Sequence, residues 1–275
     1  MGVDSSVGGD EANLLDPELS TRGGVELTVA AEVATVSLVR PQVRNAQVPD
    51  TWRALAAVAD LLDDRLRVIV LRAEGKSFSA GLDRRMFTEG IPGEGSLLDL
   101  ARADNVEFDK TIAYFQRGFT WWRDHPAVSI ALVQGHAVGA GFQLALAADL
   151  MIVGNDAQLS MRETQLGLVP DLAGTHPLIA RAGYQRGLEI CLSGRWVGAD
   201  EAVRIGLALR QVPTTELDAA GRELAESFLA APAGATRRTK ALLRGSPDRS
   251  FSEQIAAERA AQRSRIRDLA GLTGV

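Results

Sequence analysis

The sequence predicts an α/β domain with a largely parallel β-sheet, followed by a C-terminal region made of helices. Up to about residue 212, apolar segments of strand type alternate with segments whose apolar residues recur at the helical period. Beyond that residue the strand signals vanish and only helical patterns remain. Strands that alternate with helices imply right-handed β-α-β crossovers and therefore parallel neighbours. The chain has 275 residues and is 46% hydrophobic, which is enough to bury one large core.

The individual elements follow this alternation. Two short strands at 25–29 and 33–39 are close in sequence, which indicates a hairpin. Asp50 can cap a helix that leads into the apolar strand at 67–71. A Gly- and Pro-rich stretch at 89–96 is expected to be a mobile loop. The other predicted elements are a helix at 106–123, a strand at 128–133, a helix at 140–148, a strand at 150–153 and C-terminal helices at 214–230, 233–244 and 250–270.

Composition and charge exclude several classes of function. The net charge of −5 gives no overall attraction to nucleic acid or to anionic lipid. The longest apolar runs are far shorter than the roughly 18 residues of a membrane span. Cys191 is the only cysteine and the three histidines are scattered, so we expect no disulfide, no metal site and a reducing, cytoplasmic location. Residues 1–22 are predicted to form a disordered leader.

Two glycine-rich segments, at 76–83 and 134–144, each lie where a predicted strand ends. Small residues let a ligand approach the backbone, and free N–H groups at a helix N-terminus attract negative charge. The same turns are common without any ligand, and the spacing of Gly135, Gly139 and Gly141 does not match the dinucleotide pattern G-x-G-x-x-G. The phosphate-loop and G-x-S-x-G patterns are also absent. Spacing alone therefore leaves the function open.

The residues within these segments resemble a known family. F-S-A-G-L-D at 78–83 is similar to the F-S/A-A-G-x-D segment of the crotonase (enoyl-CoA hydratase/isomerase) family, and G-H-A-V-G-A-G at 135–141 is similar to its G-x-A-x-G-G-G segment. Each match is weak alone, but together they cover about residues 25–215 and are specific. Shorter matches occur in family order at 40–46, 147–150, 167–170 and 192–194.

The resemblance implies a fold and an assembly. We expect a crotonase-like ββα spiral core at residues 23–212 and a C-terminal helical trimerisation region at residues 213–275. Members of the family are generally trimers or dimers of trimers, so one of these homo-oligomers is expected here. They act on acyl-CoA thioesters without a separate cofactor, which implies that coenzyme A enters only as part of the substrate.

The resemblance also implies an oxyanion hole, formed by the backbone N–H groups of Ala80 and Ala140. Removing a proton next to a thioester places negative charge on its oxygen, and preorganised donors at that oxygen lower the barrier. Ala140 gains further from the positive end of the helix that it begins. For Arg44 and Lys240, an ordinary surface charge is the alternative to contact with the CoA phosphates. The substrate- or CoA-binding residues implied by the resemblance are Arg44, Phe78, Ala80, Gly81, Leu82, Asp83, Gly139, Gln143 and Lys240.

The acidic residues decide which reaction is expected. Hydratases of the family use two glutamates, but the first of these positions is Gln143, whose amide cannot transfer a proton. Glu163 occupies the second position. Asp171 stands where hydratases usually have glycine and where double-bond isomerases carry an acidic residue, although it could instead cap the next helix. We therefore expect Glu163 or Asp171 to remove a proton from an enoyl-CoA and a carboxylate to return it at another carbon.

Isomerisation is thus favoured, and two alternatives stay open: an enoyl-CoA hydratase that tolerates Gln143, and a catalytically silent CoA-binding scaffold. Two carboxylates at one apolar pocket are also expected to raise the pKa of one of them. The loop near 86–100 is expected to shape the acyl pocket, with Met86, Phe87 and Phe115 as candidate lining residues.

Overall fold

The structure is a computed structural model that describes residues 12–271. Its strands are β1 (Val25–Ala30), β2 (Val33–Leu38), β3 (Val68–Ala73), β4 (Val128–Val133), β5 (His136–Val138), β6 (Leu150–Gly154), β7 (Gln158–Ser160), β8 (Val197–Gly198) and β9 (Arg210–Val212). Its α-helices are α1 (Pro17–Gly23), α2 (Pro49–Leu61), α3 (Leu97–Arg102), α4 (Asn105–Asp124), α5 (Ala140–Ala147), α6 (Thr175–Ala182), α7 (Tyr184–Ser193), α8 (Ala199–Arg204), α9 (Leu217–Ala230), α10 (Ala233–Gly245) and α11 (Phe251–Leu269). Short 3-10 helices occur at Pro41–Val43, Arg84–Phe87, Glu163–Leu166, Thr214–Glu216 and Ser246–Asp248.

The main sheet has six strands in the spatial order β1-β2-β3-β4-β6-β9. β1 and β2 form an antiparallel hairpin in which Val25 pairs with Leu38. Every other neighbouring pair in this sheet is parallel. The predicted hairpin and the largely parallel sheet are therefore both confirmed. The nearly continuous apolar sequence of β4 reflects its burial between two layers of helices.

Helices cover both faces of the main sheet. Successive side chains of a strand point to opposite faces, and β4 follows this rule. Ile130 and Leu132 pack in one cluster with Leu217 of α9. Ala131 and Val133 belong to the larger cluster on the other face, which also contains the apolar residues of α2, α4 and α5. The core thus extends on both sides of the sheet.

A second, smaller sheet lies next to the candidate site. Its middle strand β7 pairs in parallel with β5 and antiparallel with β8. The sequence patterns do not predict these strands, because two or three residues give too few alternations for a period to be recognised. They also do not predict α6, α7 and α8, which follow the Glu163–Leu166 segment in the sequence and precede β9.

The predicted disordered leader is too long. Residues 1–11 lie outside the described residues, but Pro17–Gly23 form a helix, so the prediction is wrong for this part of the leader. Asp16 caps the helix by accepting a hydrogen bond from the Leu19 N–H at 2.9 Å, and proline suits the first helical position. Leu15 is buried in the core, which attaches this segment to the domain.

The three predicted C-terminal helices are confirmed as α9, α10 and α11. Their predicted role in trimerisation stays a prediction. No helix among residues 12–271 combines the length and the apolar composition needed to cross a membrane.

The stretch at 89–96 is a loop, as predicted, and it is anchored to α2. Glu94 Oε2 accepts a hydrogen bond from the Asp50 N–H at 2.6 Å and pairs with the Arg53 guanidinium at 3.2 Å. The N-terminal end of a helix favours a carboxylate at this place. Burial, together with the nearby Asp50 carboxylate, raises the pKa of Glu94. The mobility of the loop stays a prediction.

Candidate active site

The two glycine-rich segments lie side by side. Ser79 forms a parallel bridge with β5, and its N–H donates to the His136 carbonyl oxygen at 2.9 Å. On the other side of the same segment, the Gln47 N–H donates to the Gly81 carbonyl oxygen at 2.7 Å. Residues 78–83 are therefore held between Gln47 and β5, next to the start of α5.

The Ala80 N–H is not available to an oxyanion. It donates to the Arg44 carbonyl oxygen at 2.8 Å. The N–H groups of an extended segment alternate in direction, so Ala80 points toward Arg44 while Ser79 points toward β5. The expectation that Ala80 supplies half of the oxyanion hole is therefore wrong.

Leu82 has a free N–H instead. The residues on either side of Leu82 are both hydrogen-bonded to the Gln47 backbone. The Gly81 carbonyl oxygen accepts from the Gln47 N–H at 2.7 Å, and the Asp83 N–H donates to the Gln47 carbonyl oxygen at 2.8 Å. In a parallel bridge of this kind the central residue directs its own N–H away from the partner strand. No acceptor among residues 12–271 takes the Leu82 N–H. It is thus a donor that a ligand can use.

Ala140 has the second free N–H. It is the first residue of α5, and the first N–H groups of a helix have no acceptor within the helix. The neighbouring Gly139 N–H is used, since it donates to the Ser160 carbonyl oxygen at 2.9 Å. A Cβ on Gly81 would lie 3.7 Å from the Ala140 nitrogen. The turn that carries Leu82 therefore lies beside the start of α5.

Glu163 lies at the start of the 3-10 helix that follows β7, and the residue is 8% exposed. One carboxylate oxygen, Oε1, accepts a hydrogen bond from the Gln143 amide at 2.6 Å. The other oxygen, Oε2, is buried and has no hydrogen-bond partner in the part of the chain that the structure describes. A Cβ at Gly139 would lie 3.3 Å from Oε1, so glycine lets the carboxylate approach the start of α5. Burial, together with the nearby Asp171 carboxylate, raises the pKa of Glu163.

Gln143 connects Glu163 to the turn that carries Asp171. The residue is only 1% exposed. Its amide oxygen accepts hydrogen bonds from the Leu172 N–H at 3.0 Å and from the Gly174 N–H at 3.2 Å. Its amide nitrogen donates to Glu163. Both polar atoms of the amide thus have protein partners, and the expected contact of Gln143 with the substrate stays a prediction.

Asp171 lies in the turn before α6. Gln116 of α4 holds this turn by donating a side-chain N–H to the Asp171 carbonyl oxygen at 2.7 Å. α6 begins at Thr175 after Gly174 and has no side-chain capping bond, which removes helix capping as the alternative role of Asp171. Although the side chain is exposed, the protein atoms around it desolvate the carboxyl group and raise its pKa. The structure thus brings Glu163 and Asp171, two carboxyl groups with raised pKa, to one place.

Two of the expected contacts with the ligand are wrong. Phe78 is 0% exposed and lies in the core, so it cannot reach a ligand. The Lys240 Nζ forms an ion pair with Asp149 at 2.6 Å and donates to the carbonyl oxygens of Ala127 at 2.7 Å and Trp122 at 3.3 Å. An ammonium group has three N–H donors, so none is left for a CoA phosphate. Lys240 instead attaches α10 to the core.

Arg44 and Asp83 have different environments. Arg44 is exposed, and its contact with CoA stays a prediction. The Asp83 carboxylate pairs with Arg85 at 2.8 Å and with Arg40 at 4.0 Å. The hydrogen bond from Arg85 holds the pKa of Asp83 below its ordinary value. Asp83 also caps the 3-10 helix at Arg84–Phe87, so its side chain has a structural role, and a contact with the substrate stays a prediction.

The candidate lining residues of the acyl pocket divide into two kinds. Met86 and Phe115 are buried, whereas Phe87 is exposed. Phe115 packs against Trp52 with ring centroids 4.8 Å apart and belongs to the core. No group of three or more His, Cys, Asp or Glu side chains that could hold a metal ion occurs among residues 12–271.

Sequence reasoning missed the parts of the site that depend on the direction of a group in space. The sequence indicates Leu82 only as a contact residue and gives no sign that Gln116 holds the turn of Asp171. No sequence pattern reports where a single N–H points. The one available signal was Gly81, whose φ of +82° turns the chain between Ala80 and Leu82.

Comparison with known proteins identifies the family. The family model for enoyl-CoA hydratase/isomerase matches residues 28–271. A Mycobacterium tuberculosis (strain CDC 1551 / Oshkosh) protein named as a probable enoyl-CoA hydratase is 30% identical, over 82% of this chain and 83% of its own. A mitochondrial Delta(3,5)-Delta(2,4)-dienoyl-CoA isomerase of Dictyostelium discoideum is 28% identical, over 81% of this chain and 76% of its own.

A solved structure has the same fold. The crystal structure of a Thermobifida fusca YX protein, provisionally assigned as an enoyl-CoA hydratase and in complex with CoA, matches with a TM-score of 0.88 and 42% identity. The match covers 94% of this chain and 98% of that one. The predicted crotonase-like α/β core with its C-terminal helices is therefore confirmed. Since the family model also matches most of the sequence, this chain belongs to the enoyl-CoA hydratase/isomerase, or crotonase, family of enzymes.

Proposed function

We propose that this enzyme moves a double bond in an enoyl-CoA thioester, with Glu163 and Asp171 as the residues that transfer the proton. One observation carries the proposal: these two carboxyl groups with raised pKa lie together, while the first of the two hydratase positions holds the neutral amide of Gln143. Two groups that can each take and give a proton suit a proton shift along the acyl chain. Hydration by the two-glutamate scheme requires a carboxylate at position 143.

A CoA thioester as substrate is supported by the solved relatives. One Thermobifida fusca YX structure is in complex with CoA, and another is in complex with acetoacetyl-CoA, with a TM-score of 0.87 and 42% identity. The free N–H groups of Leu82 and Ala140 are the donors that we assign to the thioester oxygen. Exposed Arg44 is the remaining candidate for the CoA phosphates. The reaction requires no cofactor besides the CoA of its substrate.

The proposed mechanism has two proton transfers. A carboxylate, Glu163 or Asp171, removes a proton from C2 of a 3-enoyl-CoA, and the C–H electron pair forms a dienolate whose charge lies largely on the thioester oxygen. The N–H groups of Leu82 and Ala140 stabilise this charge, and removing one such donor typically costs about 3–4 kcal/mol of barrier. A protonated carboxyl then returns a proton to C4, which leaves the double bond between C2 and C3. No electrons are gained or lost overall.

The raised pKa values support this assignment. A carboxyl group of ordinary pKa is almost fully ionised near neutral pH and is a poor proton donor. Burial raises the pKa of Glu163 and desolvation raises that of Asp171, which brings both closer to the pH at which a group serves as acid and as base.

The assembly and location are part of the proposal. α11 exposes apolar side chains, including Phe251 at 82% exposure, and a partner subunit would bury them in a homotrimer or a dimer of trimers. Sedimentation of the purified protein tests this stoichiometry. The single thiol, Cys191, is unpaired, which suits the cytoplasm as the compartment of the reaction.

Two substrates separate the proposed isomerase from a hydratase, the activity named for several relatives. With a 3-enoyl-CoA, the isomerase produces a 2-enoyl-CoA, detected as a rise in the absorbance of the conjugated thioester. With crotonyl-CoA, this absorbance stays constant over the same time. Rapid loss of the crotonyl-CoA absorbance without conversion of the 3-enoyl-CoA refutes the proposal in favour of hydration.

Substitutions test the two carboxyl groups. We expect Glu163→Gln and Asp171→Asn each to lower the rate by about 10²–10⁴, the usual contribution of general acid–base catalysis. Glu189→Gln is the matched control, because Glu189 is exposed and its carboxylate pairs with Arg195. If the wild type binds CoA but converts no acyl-CoA, the alternative of a silent CoA-binding scaffold replaces the proposal.

A further inference from the structure

The Gln143 side chain has only one orientation that its surroundings accept. A glutamine amide has an oxygen with two acceptor positions and a nitrogen with two N–H donors. The oxygen faces two backbone donors, the Leu172 N–H at 3.0 Å and the Gly174 N–H at 3.2 Å. A flipped amide would direct its own N–H groups at these donors. The nitrogen must therefore point the other way, toward Glu163 Oε1 at 2.6 Å.

This orientation makes the two oxygens of Glu163 unequal. Oε1 receives the amide N–H of Gln143 at 2.6 Å, whereas both oxygens lie close to Gly139, at 3.3 and 3.7 Å from the position of a Cβ there. Oε2 is buried and has no partner in the described part of the chain. A buried carboxylate oxygen without a hydrogen bond is costly unless a ligand or a proton meets it.

We propose that Gln143 is a positioning residue: its amide, oriented by the N–H groups of Leu172 and Gly174, holds Oε1 of Glu163 and leaves Oε2 as the atom that exchanges the proton. This inference rests on the proposed function only in so far as it names Glu163 as a catalytic group. Gln143 itself acts through Glu163 and transfers no proton.

The same hydrogen bonds prevent Gln143 from acting as a proton acceptor. Both acceptor positions of the Gln143 oxygen are occupied by backbone N–H groups. A water that attacks a double bond must give up a proton to an acceptor, and Gln143 offers none. Hydration that uses an acceptor at position 143 is therefore excluded, and the proton transfers that remain are those of Glu163 and Asp171.

Gln143 also holds the turn that carries Asp171, together with Gln116. Asp171 directly precedes Leu172, whose N–H is held by Gln143, and Gln116 holds the Asp171 carbonyl oxygen from α4 at 2.7 Å. The turn is thus fixed from two sides. Ala173 in this turn has φ of +63°, a conformation that alanine adopts only when neighbouring contacts maintain it.

The test is a titration of Glu163 in the absence of substrate. Protein labelled with ¹³C-glutamate is followed by infrared spectroscopy, and the band of Glu163 is identified by its loss in Glu163→Gln. Gln143→Met removes the donor to Oε1 at similar side-chain length, so Glu163 is expected to ionise at higher pH than in the wild type. Gln143→Glu places a second carboxylate at Oε1 and is expected to shift this pH upward as well, because the two groups then share a proton.

Gln134→Met is the matched control. Gln134 is also a buried glutamine that donates to backbone, at 2.7 Å from Ala73 and 3.0 Å from Gly75, but it does not touch Glu163. We expect this variant to lose stability and to leave the titration of Glu163 unchanged. The inference is overturned if Glu163 ionises at the same pH in both Gln143 variants as in the wild type. It is also overturned if Gln134→Met shifts the ionisation of Glu163 as much as the Gln143 variants do.

The outcome is independent of turnover. If Gln143→Met does not fold, Gln143→Glu keeps the shape and the acceptors for Leu172 and Gly174 and still tests the inference. A wild type that converts no enoyl-CoA refutes the proposed function, whereas the titration still reports whether Gln143 positions Glu163. Where the wild type is active, the acidic limb of kcat/KM is expected to move to higher pH in both Gln143 variants, in parallel with the titration.

Discussion

Replacing Lys240 by methionine distinguishes two roles that this residue could have. The resemblance to the family implied contact with CoA phosphates, whereas the structure places the ammonium in an ion pair with Asp149 at 2.6 Å and against two carbonyl oxygens. The Lys240 side chain is 10% exposed. After the substitution, Asp149 keeps the hydrogen bonds from the Ser129 N–H at 2.8 Å and from the Ser129 hydroxyl at 2.9 Å.

The expected loss of stability follows from these contacts. Breaking a buried ion pair by removing one partner costs about 3–5 kcal/mol. The two remaining hydrogen bonds of Asp149 and its partial exposure reduce this cost, and methionine refills most of the space. We therefore expect a loss of about 2 kcal/mol, which lowers the Tm of a chain of this size by roughly 4–8 °C.

Thermal unfolding and steady-state kinetics together provide the assay. With the structural role, Lys240→Met lowers the Tm and leaves the KM for an acyl-CoA within about twofold of the wild type. Arg44→Met is the control, because Arg44 is exposed and is the candidate for the CoA phosphates. This variant is expected to raise the KM and to leave the Tm unchanged. An unchanged Tm with a strongly raised KM in Lys240→Met refutes the reasoning.

Three further expectations concern other parts of the molecule. Burial raises the pKa of Glu163, so the folded protein keeps the proton of this carboxyl group at a pH where the unfolded chain has lost it, and stability falls as the pH rises above about 4.5. The Tm of Glu163→Gln should therefore fall less over this pH range than the Tm of the wild type. Parallel plots of Tm against pH for the two proteins would contradict this expectation. Gly139→Ala places a Cβ at φ of +51° and 3.3 Å from Glu163 Oε1, which should cost about 1–3 kcal/mol of stability and reduce kcat at least tenfold; an unchanged kcat speaks against a fixed carboxylate. Glu94→Ala removes the anchor of the loop, so proteinase K, a protease of broad specificity, should cleave faster within 89–96 than in wild type or in Glu89→Ala, and equal rates exclude an anchoring role.

The long elements could be predicted because many residues contribute to each pattern. The helix predicted at 106–123 is observed at Asn105–Asp124, and the strand predicted at 128–133 is observed at these residues. The short strands of the second sheet could not be predicted, since pairing with neighbours rather than sequence pattern creates them. The helix at Pro17–Gly23 could not be predicted for a different reason, because seven residues show no helical period and its Asp-Pro start resembles the polar sequence before it.

The site could be predicted as far as residue types and order determine it. Glu163 and Asp171 lie together as their positions in the family pattern suggest. Which N–H is free could not be predicted, because the Ala80 N–H is taken by a carbonyl oxygen from a distant loop and the Leu82 N–H is not. The burial of Lys240 was equally out of reach, since its partner Asp149 is 91 residues away in the sequence.

The pairing of β5 with β7 has a consequence for how the enzyme can diversify. Val138 pairs with Ser160, and these residues shortly precede Ala140 and Glu163. The main-chain ladder therefore sets the separation between the free Ala140 N–H, which we propose as a donor to the thioester oxygen, and the Glu163 carboxyl group, which we propose as the base. The register of such a ladder can change only by whole residues, so small substitutions elsewhere do not alter this separation gradually. Under the proposed function, the residues that contact the acyl chain can vary while Ala140 and Glu163 keep their spacing, so the same two groups can serve acyl chains of different forms.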